Sequence, residues 1–119
     1  YFYAELERLV RLLEAANNNP NTLVLLDEIL KGTNSSDKEA GSRAFVKKLI
    51  GKHVLTMVAT HDTSLCSLED EFHREVKNAH FASAVGQGDL VFDYTLRAGV
   101  CTSMNATWLM TSMGIIDND

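Results

Sequence analysis

The sequence predicts an α/β fold: a parallel βαβ unit, then an antiparallel hairpin, then a C-terminal helical element. Two short apolar runs, at residues 22–27 and 54–59, lie on either side of a segment with helical spacing. This is the pattern of two parallel strands joined by a crossover helix. Farther along, residues 89–96 alternate polar and apolar side chains after Gly86-Gln87-Gly88-Asp89, which indicates a hairpin.

The composition is that of one small globular domain. The chain has 119 residues, of which 45% are hydrophobic and 23% are charged. It has 11 basic and 16 acidic residues and a net charge of −5, so we do not expect it to bind a DNA backbone by itself. No apolar run approaches the roughly 20 residues that span a membrane, and no signal peptide is visible, so we expect a cytoplasmic protein without membrane contact. Because the chain starts at Tyr1 and not at Met, with a predicted helix directly at its start, we expect it to be a fragment of a longer protein.

The elements of the βαβ unit follow from spacing and from breaking residues. Apolar residues recur at helical spacing over residues 2–16, which predicts an amphipathic helix that ends before Pro20. The strand at 22–27 comes next. The loop at 29–35 contains Gly32, which we expect to adopt an unusual backbone angle.

The crossover helix is predicted to begin near Ser36, because Glu39 three residues later completes a capping-box pattern. It should end near Ile50, before Gly51, and the second strand at 54–59 follows. The residues that we expect this helix to bury are Ala40, Ala44, Phe45 and Leu49.

The last part of the chain has three predicted elements. Asp62 or Thr63 is suited to cap a short helix that runs to about residue 69. Hairpin strands are predicted at 76–85 and 90–96, and a helix at 102–113. The strand side chains predicted to be buried are Leu90, Phe92, Tyr94 and Leu96, and the predicted apolar anchors around the helix, in the core or at an interface, are Met104, Trp108 and Ile115.

The most informative feature is a pair of carboxylates, Asp27 and Glu28, at the end of the first strand. His61 closes the second strand, so all three side chains should emerge at the same sheet edge, where α/β proteins bind ligands. In P-loop nucleotidases an Asp at this place helps hold Mg²⁺, a Glu orients or deprotonates the attacking water, and a His reaches the γ-phosphate. The alternative is that the carboxylates are solvated and cap the next turn, and that His61 is a hydrogen-bonded structural residue.

Short polar side chains follow the carboxylates in the loop. Thr33, Asn34, Ser35 and Asp37 lie beside the same predicted edge. They can contact a nucleotide, or they can serve turn and capping chemistry. The sequence leaves both roles open.

The other half of a nucleotide site is missing from the sequence. The phosphate-binding motif G-x-x-x-x-G-K-[ST] does not occur. The pair Gly51-Lys52 is followed by His53, and the position five before Gly51 is Val46, not glycine. We therefore expect the chain alone to bind ATP very weakly and not to hydrolyse it.

The chain resembles the C-terminal part of the ATPase domain of the MutS family. The resemblance covers nearly the whole chain and rests on Phe2-Tyr3-Ala4-Glu5-Leu6, Leu23-Val24-Leu25-Leu26-Asp27-Glu28-Ile29, Lys31-Gly32-Thr33-Asn34-Ser35, Ala59-Thr60-His61-Asp62 and residues 99–113. It implies a partial P-loop NTPase fold of the ABC type. Residues 1–100 would be an ATPase core fragment, and residues 101–119 a helical dimerisation element.

The resemblance also implies roles for particular residues. Asp27 and Glu28 would be the Walker B pair, with Asp27 on Mg²⁺, and His61 would be the switch histidine. The loop at the dimer interface would supply the nucleotide contacts Gly32, Thr33, Asn34 and Ser35. The full-length protein would bind ATP and Mg²⁺ at composite sites of a homodimer and couple hydrolysis to binding of mismatched double-stranded DNA by other domains.

Two other functions stay open. Another ABC-type ATPase, such as a chromosome-maintenance or transport subunit, would share the Asp-Glu strand and the histidine. A nucleotide-independent dimerisation module would keep the fold without catalysis. Whichever function is correct, the chain lacks the P-loop strand and its helix, so we expect an exposed apolar patch or strand edge that promotes association.

Overall fold

The computed structural model describes residues 1–86, 89–101 and 105–117, and of residues 83–86, 89–90, 92 and 105–108 it describes the backbone only. The chain divides into two compact units, Tyr1–Glu75 and Val76–Asp119. Among the described residues, no helix is both long enough and apolar enough to cross a membrane. The predicted division at residue 100 stays a prediction.

The first unit has the predicted βαβ arrangement. Its elements are α1 (Phe2–Asn18), β1 (Leu23–Asp27), α2 (Ser35–Gly51), β2 (Leu55–Ala59), a 3-10 turn (Thr63–Ser67) and α3 (Leu68–Glu71). β1 and β2 pair in parallel, from Leu23 opposite Leu55 to Asp27 opposite Ala59. The parallel pairing confirms the prediction, and it brings the carboxyl ends of the two strands side by side.

The two faces of this sheet differ in their surroundings. One face packs into the core, a cluster of Ala16, Val24, Leu26, Ile29, Leu30, Leu49 and Val54 that draws on α1, β1, α2 and the segments beside the strands. The other face is apolar but open, since Leu25 is 66% and Met57 63% exposed. The predicted apolar patch is therefore confirmed on the open face of β1 and β2.

The start of α2 differs from the prediction. The N-cap is Asn34, whose Oδ1 accepts a hydrogen bond from the Asp37 N–H at 2.9 Å, so the helix begins at Ser35. The predicted capping box of Ser36 and Glu39 is therefore wrong. The Ser36 hydroxyl also donates to Asn34 Oδ1, at 3.0 Å. Asn is as good an N-cap as Ser, and the pattern Asn34-x-x-Asp37 begins two residues earlier than the predicted one.

Gly32 also has a different role from the predicted one. The positive φ angles near it belong to Glu28 (48°) and Leu30 (61°), not to Gly32. A Cβ on Gly32 would lie 2.9 Å from Phe2 Cβ, closer than real Cβ atoms come. Glycine is therefore needed here for space against the start of α1, and not for backbone conformation.

The buried face of α2 also differs in part from the prediction. Leu49 is buried and Phe45 is partly buried against the core, as predicted. Ala40 and Ala44 are exposed, and the positions buried in their place are Ser42 and Val46. An alanine side chain has little apolar area, so it contributes little to the choice of face compared with Val46 or Leu49.

The second unit contains the predicted hairpin and helix. Its elements are β3 (Ala79–Gly86), β4 (Asp89–Ala98) and α4 (Asn105–Ser112). β3 and β4 are antiparallel, with an irregularity between Phe81 and Ser83. Residues 87–88 of the turn and residues 102–104 of the predicted helix lie outside the described residues.

The predicted burial in this unit is wrong where the structure describes it. Tyr94 is 84% exposed and has a φ of 55°, Leu96 is 63% exposed and Ile115 64% exposed. A left-handed residue in β4, together with the irregular pairing, interrupts the alternation on which the prediction depended. The other predicted anchors, Leu90, Phe92, Met104 and Trp108, have side chains outside the described part of the chain.

Candidate functional site

The carboxyl ends of β1 and β2 are joined by two hydrogen bonds that involve Glu28. The Glu28 N–H donates to the Ala59 carbonyl at 3.0 Å, and the His61 N–H donates to Glu28 Oε1 at 2.6 Å. Glu28 turns the chain out of the strand with a left-handed φ of 48°, a conformation uncommon for a residue with a side chain. The structure thus brings Glu28 and His61 together at the sheet edge, as their positions after the two strands predicted.

The second carboxylate oxygen of Glu28 contacts α2. Lys38 Nζ lies 3.1 Å from Glu28 Oε2, and the side chains of Lys38 and Glu28 are 29% and 20% exposed. The pair is therefore partly shielded from water. Each oxygen of the carboxylate has a partner from a different element, the His61 backbone after β2 and the Lys38 ammonium on α2.

These contacts control the ionisation of Glu28. Burial raises the pKa of its carboxyl, but the hydrogen bond from the His61 N–H, the contact with the Lys38 ammonium and the Thr60 hydroxyl together outweigh burial. The pKa of Glu28 therefore lies below its ordinary value of 4.5. The side chain is a carboxylate at neutral pH.

An open depression of about 280 Å³ lies at this edge, lined by Glu28, Ser35, Lys38, Glu39, His61 and Asp62. Ligand pockets for drug-sized molecules begin at about this volume.

Asp27 differs from Glu28 in its surroundings. It ends β1 and is exposed, and among the residues that the structure describes none donates a hydrogen bond to its carboxylate. The described residues also contain no group of three or more His, Cys, Asp or Glu side chains that could hold a metal. A lone exposed carboxylate fits the way Mg²⁺ is held, by one or two carboxylates together with phosphate oxygens and waters, and does not fit an all-protein metal cage.

The loop residues predicted to contact a nucleotide have mixed surroundings. Ser35 lines the depression. Asn34 caps α2, and its side-chain amide also donates to Asp37 Oδ2 at 3.0 Å. Gly32 is closely packed against Phe2. Their roles in binding, and that of Thr33, stay predictions.

Two residues near the site were not identified from the sequence, Lys38 and Arg43, both on α2. Arg43 donates to the Ser64 carbonyl at 3.2 Å and to Ser67 Oγ at 2.6 Å, and it also pairs with Glu71. It thereby ties α2 to the 3-10 turn that follows His61. A basic residue on a predicted helix gives no signal of such a contact until the helix is placed against the strand ends.

Two carboxylates and a histidine follow adjacent parallel strands of this α/β unit, at the edge of the sheet where α/β proteins generally bind ligands. Comparison with known sequences identifies the family. The family model of MutS domain V matches residues 1–112. The chain belongs to the MutS family, which confirms the resemblance seen in the sequence.

Several named relatives match most of the chain. It is 31% identical over 117 residues to DNA mismatch repair protein MutS 2 of Halobacterium salinarum, a match that covers 96% of this chain and 13% of the relative. It is 36% identical over 101 residues to DNA mismatch repair protein MutS of Chloroflexus aurantiacus, a match that covers 82% of this chain and 10% of the relative. It is 35% identical over 98 residues to DNA mismatch repair protein MutS of Thermus aquaticus, which covers 82% of this chain and 12% of the relative. The chain thus spans little more than a tenth of the length of these relatives.

Proposed function

We propose that this chain forms the carboxylate half of an ATPase site in a DNA mismatch repair protein of the MutS type. The observation that carries the proposal is the junction of Glu28 and His61, in which the His61 N–H holds Glu28 Oε1 at 2.6 Å beside an open depression. The match to MutS domain V and the names of the relatives support the assignment to mismatch repair.

Glu28 would orient the attacking water and accept its proton. A carboxylate has about four lone-pair positions, and the contacts with the His61 N–H, the Lys38 ammonium and the Thr60 hydroxyl use three of them. The remaining position is suited to a water in the depression. Glu28 is ionised at neutral pH, so it is able to accept a hydrogen bond from that water.

His61 and Asp27 would act on the phosphates. The His61 backbone holds Glu28, and among the described residues none forms a hydrogen bond with the His61 ring, which lines the depression and would donate to the γ-phosphate. Asp27 would hold Mg²⁺, which when bound neutralises charge on the phosphate oxygens. The exposed carboxylate of Asp27 would supply one ligand to the ion, and phosphate oxygens and waters would supply the others.

A complete site would need parts from outside the 119 residues. The P-loop NTPase fold proposed here requires a phosphate-binding loop, which the sequence lacks. In a composite site of a homodimer, Gly32, Thr33, Asn34 and Ser35 would lie near the interface, and residues 101–119 would contribute to dimerisation. Other domains would bind mismatched double-stranded DNA, because this chain is acidic.

The test is Mg-ATP turnover by the full-length protein with Glu28→Gln. We expect a loss of about 10²-fold or more with ATP still bound, because the amide cannot accept the proton of the water. Glu39→Gln is the matched control, since it removes a carboxylate from the same depression without removing the contact with His61. Equal turnover by the native protein and Glu28→Gln would reject the catalytic role of Glu28, and no turnover in either would reject the ATPase and favour a dimerisation module.

A second measurement separates mismatch repair from another ABC-type ATPase. Turnover of the full-length protein is measured with no DNA, with a matched duplex and with the same duplex carrying one mismatch. A rate that differs between the two duplexes supports mismatch repair. A rate that neither duplex changes favours an ATPase of another kind.

A further inference from the structure

Lys38 is a residue of the site to which the proposed reaction gives no role. It lies in the first turns of α2, four residues after the N-cap Asn34, and its Nζ is 3.1 Å from Glu28 Oε2. We propose that Lys38 is a positioning residue for Glu28: it holds Oε2 while the His61 N–H holds Oε1, so that the carboxylate keeps one orientation. This inference rests on the proposed function, in which Glu28 acts on a water.

Contacts from separate elements fix a carboxylate better than contacts from one element. The terminal torsion of a Glu side chain is broad and roughly two-fold, and the His61 N–H and the Thr60 hydroxyl both come from the segment after β2. Lys38 supplies a contact on Oε2 from a separate element. The Asn34 cap fixes the start of its helix, one turn before Lys38, and the contact with Oε2 joins that helix to the strand end.

The depression is lined mainly by acidic side chains. Glu39 from α2 and Asp62 after β2 line it together with Glu28, and Asp27, the last residue of β1, directly precedes Glu28. Like charges repel one another. Lys38 is the cation that the described residues place in contact with Glu28, so it opposes the displacement of Glu28 by its acidic neighbours.

The main competing role for Lys38 is direct binding of a phosphate. Lysine commonly binds phosphate as a point charge. A lysine that binds a phosphate group of ATP contributes to the affinity for ATP, so removal of its ammonium would raise KM for ATP. A positioning residue contributes to the placement of Glu28 and would lower kcat instead.

The experiment uses the full-length protein and measures kcat and KM for ATP in three variants. For Lys38→Met we expect kcat to fall about 10-fold or more with KM within about twofold of native, since small misplacements of a catalytic group are costly. Lys38→Arg should restore most of kcat, because a guanidinium also reaches Oε2. Lys48→Met, the same change at an exposed lysine of the same helix, should equal the native protein.

A double-mutant cycle with Glu28→Gln shows whether Lys38 acts through Glu28. If it does, Lys38→Met lowers kcat in the native background and has less than about a twofold effect in the Glu28→Gln background. An equal loss in both backgrounds, or a rise in KM with kcat unchanged, overturns the proposal.

Hydrogen exchange separates failure of this proposal from failure of the proposed function. If Glu28→Gln leaves turnover unchanged, the ATPase role of Glu28 is rejected whatever Lys38 does. The contact is then judged on the His61 amide, which Glu28 Oε1 protects. Faster exchange at His61 in Lys38→Met than in Lys48→Met supports the positioning contact, and equal exchange in the two variants rejects it.

Discussion

Replacement of Gly32 by alanine tests whether the loop after Glu28 needs glycine for packing or for contact with a nucleotide. An added Cβ would lie 2.9 Å from Phe2 Cβ and 3.2 Å from both Phe2 Cα and Cδ1. Carbon atoms pack best at about 3.5 to 4.0 Å, so the loop or the start of α1 has to move by roughly 0.5 Å or more. Two of the three close atoms are the Cα and Cβ of Phe2, which cannot rotate away.

The magnitude follows from what Phe2 contacts. Phe2 packs against the core of the first unit, so a shift of α1 at this point also disturbs its neighbours. Overpacking of this kind costs about 1–3 kcal/mol. Alanine also restricts the unfolded chain, which offsets about 0.4–1 kcal/mol of this cost. This gain applies here because the backbone of Gly32 has no positive φ, so alanine can adopt its conformation. We therefore expect a net loss of about 1–2 kcal/mol.

The assay is urea unfolding of the chain, followed by circular dichroism. With a slope of about 1–3 kcal/mol per molar urea, the midpoint of Gly32→Ala should fall by about 0.5–1 M. Gly51→Ala is the matched control, because a Cβ there meets nothing within 4 Å and the residue is the last of α2. We expect this control to raise stability by up to about 1 kcal/mol.

One result would refute the packing explanation. If Gly32→Ala is as stable as the native chain while the full-length variant loses ATP turnover, glycine is needed for the approach of a ligand and not for space against Phe2. A loss of stability with Gly51→Ala as large as that with Gly32→Ala would show that the assay does not distinguish the two positions.

Three further predictions concern the elements around the site. Asn34→Ala should cost about 0.5–2 kcal/mol in urea unfolding, because α2 loses its cap, while Asn34→Ser should keep most of the stability; equal losses in the two variants would contradict the capping role. Arg43→Ala should cost about 1 kcal/mol, since its partly exposed side chain loses the contacts with Ser64, Ser67 and Glu71, and amide exchange in the turn Thr63–Ser67 should become faster; unchanged exchange would argue against this link. The double variant Leu25→Lys, Met57→Lys should reduce self-association in light scattering by charging the open face of the sheet, and association equal to that of the native chain would show that this face is not the contact.

The strand ends could be predicted because their arrangement follows from topology. Two apolar runs separated by a helix-length segment pair in parallel, and parallel pairing brings Asp27 and Ala59 opposite each other. This pairing alone brings Glu28 and His61 together, because each follows the end of its strand, and the position of α2 does not affect it. The resemblance to the MutS family then gave the chemistry of these residues, and the match to MutS domain V confirms the family but does not test their roles.

The start of α2 could not be predicted because the local sequence has two similar capping patterns. Asn34-x-x-Asp37 and Ser36-x-x-Glu39 overlap, each with a good N-cap and an acidic residue three positions later. The structure uses the first. The difference depends on how the loop after Glu28 packs, with Leu30 in a left-handed conformation and Gly32 against Phe2, and neither feature is visible in a local pattern.

Lys38 was missed because its contact with Glu28 depends on how α2 packs against the strand end. The predicted buried face of α2 was correct at Phe45 and Leu49 and wrong at Ala40 and Ala44, since Ser42 and Val46 are buried instead. Lys38 precedes Ser42 by four residues and so lies on this same face, where it meets Glu28, ten positions earlier in the chain. A variant that weakens the cap at Asn34 should therefore weaken the hold on Glu28 as well as the start of the helix.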